Sequence, residues 1–205
     1  TVRSLWLRAE ALGDSWNEAQ LARVFLQPVL RALGWSSVPL PNGIVAERAS
    51  QEWGHCYALC ADHFSASELY VRHDEGQDVA AWAPALVQVA AWGGMLDQPM
   101  ERRDHCQHDD PSRPLSLGVD SGGGDGISPA HLLVGDLRET QVHWGILTNG
   151  RIWRLVSRDA NSLARTYYEI DLGVVFDDLA SGEVPRRECW EVFRRWWLLF
   201  RQASY

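Results

Sequence analysis

Two clusters of the sequence hold side chains that could bind a metal. His55, Cys56, Cys60 and His63 supply the nitrogen and sulfur ligands that zinc favours, and His105, Cys106 and His108 stand beside Asp104, Asp109 and Asp110. Cys56 and Cys60 lie within a short apolar run, CYALC, that reads as a strand. On a strand they share a face but stand about 13 Å apart, at roughly 3.3 Å per residue, too far for one ion. They read as buried core thiols, and the second cluster as a solvated loop. Gly122-Gly123-Gly124-Asp125-Gly126 lacks both a strand leading into it and a following lysine, so it reads as a connector rather than a phosphate cradle. No G-x-S-x-G motif is present, and the spacing of serines, histidines and aspartates selects no triad.

The 19 basic residues are all arginine. Without lysine there is no intact Walker phosphate loop, no Schiff-base chemistry and no complete PD-(D/E)xK metal nuclease site. A net charge of −8 argues against holding nucleic acid by charge alone. Residues 143–205 hold nine arginines against eight acids, so a polyanion would favour this C-terminal third. There, Arg151, Arg154 and Arg158 lie along or just beyond one strand-like run and are the candidate DNA-contacting residues, with Trp153 packing or stacking between them. Arg194, Arg195 and Arg201 read as the solvated face of a helix.

These groups need elements to hold them. Ser15-Trp16-Asn17-Glu18 has capping-box spacing, and apolar residues from Ala19 to Leu33 recur at helical intervals, with a kink expected at Pro28. Pro39 to Gly43 is turn chemistry, and ALVQVAA from Ala85 to Ala91 reads as a second strand covered on both faces. Asp97 to Ile127 reads as a polar surface insertion, and Ser128-Pro129 opens a short helix. HWGILT and RIWRLVS, joined by Asn149-Gly150, predict a hairpin with a type I′ turn. YYEIDL predicts another strand, and residues 189–204 an amphipathic helix with Trp190, Phe193, Trp197 and Phe200 inward. The 205 residues thus predict one α/β domain, a mixed sheet flanked by helices. No apolar run of about 18 residues occurs, and four scattered cysteines do not form a secreted disulfide framework; a cytoplasmic chain with reduced thiols and no membrane partner is expected.

The stretch WGILTNGRIWRL, Trp144 to Leu155, resembles a signature of the N-terminal nuclease-type domain of type IIG restriction-modification proteins and of phage-defence adenine methyltransferases of BREX- or DISARM-like systems. The resemblance extends to FLQPVLRALGW, AWGGMLD, YYEIDL and LLFRQASY, most of the chain outside the insertion. It implies a restriction-endonuclease-like core in which an aspartate and a glutamate hold magnesium and a lysine orients water. Matched by motif, the aspartate falls on Cys56, the glutamate on Gln88 and the lysine on Ala90, so all three positions are changed. Neither a thiol nor a neutral amide suits magnesium. The resemblance therefore implies a domain without cleavage activity or a cofactor of its own, contacting DNA or scaffolding the other domains or defence-system subunits. S-adenosylmethionine would belong to a separate methyltransferase region. Two alternatives stand beside this reading. One is a magnesium-dependent endonuclease rescued by a migrated acid such as Glu52, Asp62, Asp74, Glu75 or Asp78; the other is a protein-interaction module without DNA contact.

Overall fold

A computed structural model describes residues 2–12, 16–40, 55–60, 68, 71–72, 75, 82–97, 128–159, 166–180 and 187–205. Helix α1 (Val2–Leu12) is followed by α2 (Glu18–Leu21), which continues through a π-helical turn (Ala22–Leu26) into α3 (Gln27–Ala32). Three strands follow, β1 (Ser36–Pro39), β2 (His55–Cys60) and β3 (Ala85–Val89), then α4 (Pro129–Thr140). The hairpin β4 (Trp144–Thr148) and β5 (Ile152–Ser157) leads to β6 (Tyr167–Asp171). Helices α5 (Gly173–Ala180) and α6 (Arg187–Phe200) and a 3-10 turn (Gln202–Ser204) complete the described chain. The strands form one six-stranded mixed sheet in sequence order, antiparallel throughout except that β3 and β4 run parallel. The α/β class read from the sequence holds.

Strand alternation divides the sheet into two packed faces. Tyr57, Leu59, Ala85, Val87, Val89, Ile146, Trp153 and Ile170 face a core shared with α1, the α2–α3 helix, α5 and α6. Cys56, Ala58, Cys60, Leu86, Leu147 and Val156 face α4 through its Leu133, Val134 and Leu137. Gly145 makes this close: a Cβ there would lie 2.8 Å from Leu137 and 3.0 Å from Leu133. On the other face Trp153 packs edge-on to Trp196 and Phe200, each at 5.4 Å between ring centres. The chain end is tied in as well, with Gln202 N–H donating to the Leu33 carbonyl and Trp35 Nε1 to that of Phe200, at 3.0 and 2.7 Å.

Several local expectations change. The first cap is Asn17 rather than Ser15: its side chain accepts from Gln20 N–H while Gln20 Oε1 accepts from Asn17 N–H. Beside the expected kink at Pro28, a π turn lies just before the proline, and Gln27 N–H reaches back to Ala22. The hairpin turn is not type I′, because Gly150 has φ 88° but Asn149 is not among the positive-φ residues. Asn149, almost fully buried, instead accepts from Arg151 N–H and Ile152 N–H through Oδ1 and donates to the Gly94 carbonyl at 2.7 Å. In α6, Phe200 is buried as expected, together with Cys189 and Trp196, and Phe193 and Trp197 pack partly buried against the same core; of the four expected inward residues only Trp190 turns outward. The helices α1 and α5 and the strand β1 were not anticipated. The insertion lies almost wholly outside the described residues, as do His63 and the His105 to Asp110 cluster.

Two kinds of measurement test this packing, the first on glycine variants. A Cβ at Gly150 would meet the Trp92 ring in a backbone conformation that disfavours side chains, so Gly150→Ala should cost about 2–3 kcal/mol in urea unfolding. Gly135→Ala, with open space in α4, should stabilise by up to about 1 kcal/mol. The second concerns alkaline pH. Burial holds the Tyr205 hydroxyl above its ordinary value of 10.0, and burial together with Cys56 does the same to Tyr57. A group held protonated by folding contributes stability below its unfolded pKa and loses it as pH rises towards its folded one. Stability should therefore decline above pH 10, and Tyr205→Phe should shift that decline upward in urea midpoints measured across this range.

Candidate functional site

The sheet register brings the motif-matched positions together. Cys56 on β2 lies directly opposite Gln88 on β3, which aligns in turn with Leu147, Arg154 and Glu169 across β4, β5 and β6. Directly opposed residues have Cβ atoms about 5 Å apart. Cys56, Gln88 and Ala90 are all buried, Gln88 completely, on the face covered by α4. The Gln88 Nε2 donates to the Val89 carbonyl at 3.4 Å.

A divalent cation between β2 and β3 would meet a thiol, a neutral amide and a methyl group. These do not fit magnesium, which prefers anionic oxygens, and no catalytic step can be derived through that ion here. Cys56 and Cys60 lie on one strand with their thiols buried and unbridged, and the described residues contain no cluster of three potential metal ligands. Of the proposed rescuing acids only Glu75 is described, at an exposed position. The sequence reading missed a different acid, Asp136, buried on α4. Its polar character within a helix otherwise apolar towards the sheet was the available signal.

The three candidate DNA-contacting arginines are held by the protein itself. Arg154 Nη1 donates to Asp97 at 2.6 Å and its Nε to Glu169 at 2.5 Å, and the guanidinium lies 4.3 Å from the Tyr167 ring centre. Burial opposes its charge, but the hydrogen bonds and fields of Asp97 and Glu169 outweigh burial and hold its pKa above the ordinary arginine value. Its side chain is 9% exposed, so it cannot present a free guanidinium to a phosphate without giving up these partners. Arg151 bridges Glu10 on α1 and Asp177 on α5 at 3.1 and 2.8 Å and lies over Trp6. Arg158 donates to the Gln141 carbonyl at 2.7 Å and pairs with Asp159 at 3.3 Å. The three do not form one outward stripe, and fully buried Trp153 packs rather than stacks.

No family model, curated protein or solved structure matches the chain. Among the described residues no helix is long and apolar enough to cross a membrane.

Arg154→Ala should lower stability by about 2 kcal/mol in chemical unfolding, because it removes two hydrogen bonds to charged groups. Asp97→Asn should cost less, since Asp97 is 62% exposed. Lysine at 154 should restore only part of the loss, lacking the fork that reaches both carboxylates.

Proposed function

We propose that this chain is a nuclease-type domain that does not cut, serving as a DNA-contacting or scaffolding module within a restriction-modification or phage-defence DNA methyltransferase. The observation that carries the proposal is the pairing of Cys56 with Gln88. Two positions 32 residues apart in sequence lie face to face on neighbouring strands, as a metal site shared between those strands requires. Their side chains cannot supply the charge that such a site needs, and both are buried, Cys56 within the apolar cluster that faces α4. A restriction-endonuclease-like core is part of the same proposal, supported by the mixed sheet with helices on both faces. The parent methyltransferase and its S-adenosylmethionine follow from the resemblance in Trp144 to Leu155.

Between the two roles the arginine geometry favours scaffolding. Arg151 and Arg154 are engaged with Glu10, Asp177, Asp97 and Glu169, so phosphate contact would compete with ion pairs already formed. The protein-interaction alternative draws on the same observation.

Incubation of the purified chain with supercoiled plasmid and magnesium or manganese should leave the plasmid uncut. Nicking that copurified with the protein and disappeared in Asp136→Asn or Glu75→Gln would establish the endonuclease alternative instead. In parallel, any DNA affinity should be insensitive to Arg154→Ala beyond the effect on folding. A salt dependence that flattened in folded Arg151→Ala and Arg154→Ala variants would restore DNA contact through the hairpin.

A further inference from the structure

The last helix carries a pattern that the core does not use. α6 turns Cys189, Trp196 and Phe200 inward, while Arg187, Trp190, Arg194 and Leu198 follow one another outward at spacings of three, four and four. Residues at these intervals stack along one side of a helix, giving a stripe about 16 Å long at 1.5 Å per residue. Trp190 is 50% exposed and Leu198 44%. Among the described residues Arg187, Arg194 and Arg195 have no carboxylate partner, in contrast to Arg151, Arg154 and Arg158. Glu188 and Glu191 are also exposed on this helix and close onto none of these arginines.

We propose that this stripe docks an acidic amphipathic helix of a partner protein. Apolar side chains of that helix cover Trp190 and Leu198, and its carboxylates meet Arg187 and Arg194. Three-four spacing is the seam by which helices pack on one another, and tryptophan and arginine are the residues that most often dominate an interface. Nucleic acid fits less well. A phosphate backbone offers no apolar cover for the exposed Leu198 side chain. A second copy also fits less well, because an antiparallel pairing that sets Trp190 against Leu198 is centred on residue 194 and opposes the two Arg194 side chains.

The docking surface rests on the reading of the chain as a non-cutting module but is tested apart from it. The probe is a fluorescently labelled synthetic helix carrying leucines at three-four spacing and glutamates beside them. A lysine-for-glutamate version and a labelled DNA duplex serve as comparisons, and binding to the full chain is read by anisotropy. The glutamate helix should bind, and Arg194→Glu and Trp190→Ala should each weaken it about tenfold or more. Arg194→Glu should also shift preference towards the lysine helix. Both side chains are exposed, so unchanged melting curves would show that the variants fold. No binding of the glutamate helix would overturn the proposal, as would equal binding by folded variants. Loss of affinity for the duplex alone would make the stripe a nucleic-acid surface. Concentration-dependent self-association abolished by Trp190→Ala would make it a homodimer contact. An uncut plasmid together with failed peptide binding would remove the docking surface and leave the non-cutting reading standing.

Discussion

β3 and β4 run parallel at the middle of the sheet, and a parallel pair cannot be joined by a tight turn. The chain must leave the end of β3, cross one face and return, and α4 lies on that return path. Leu133 and Leu137 press against the bare backbone at Gly145, closing the centre of this face. Alternation along β2 and β3 then fixes which residues lie on the covered side: Cys56, Ala58, Leu86 and Gln88. A pair of carboxylates there would be costly in an apolar setting unless a cation neutralised them. A thiol, an amide and a methyl group carry no such requirement, so the covering helix and the altered side chains are mutually consistent.

Much of the architecture was legible because strong local signals coincided with tertiary need. The apolar runs CYALC and ALVQV are strands, Ser128 caps α4, and Asn149-Gly150 joins two strands. The turn type was misread because Asn149 is buried and uses its amide as a spacer between Gly94 and the backbone of residues 151 and 152, a role that depends on a neighbour 55 residues away. On α6, Phe193, Trp197 and Phe200 do pack on the core, and Trp190 alone was misread, for a related reason. The helix's abundance of large apolar residues supports more than one helical stripe, and the position of Trp153 selects Trp196 rather than Trp190.

The candidate site divides along the same line. Motif matching identified Cys56 and Gln88, but only the β2–β3 register could make them neighbours. The arginines were visible as residue types, whereas their partners were not. Glu10, Asp97, Glu169 and Asp177 come from four separate parts of the chain, and no periodicity links them to residues 151 and 154. Arginine suits such junctions because one planar group can serve two carboxylates at once. Arg151 joins α1 to the helix that follows β6, and Arg154 ties Asp97 to the edge strand.

This use of charge bears on what the surface can recognise. Guanidinium groups on the hairpin satisfy acids of the same chain, so their fields largely cancel within a few ångströms, and the long-range potential follows the overall acidic excess. A polyanion approaching from a distance therefore meets repulsion before it meets any arginine. Recognition by such a protein must depend on short-range complementarity, where apolar cover and local pairing outweigh the net field. Only arginines set among exposed apolar side chains and left without internal partners meet that condition, and in α6 they stand on the side of the helix turned away from the core.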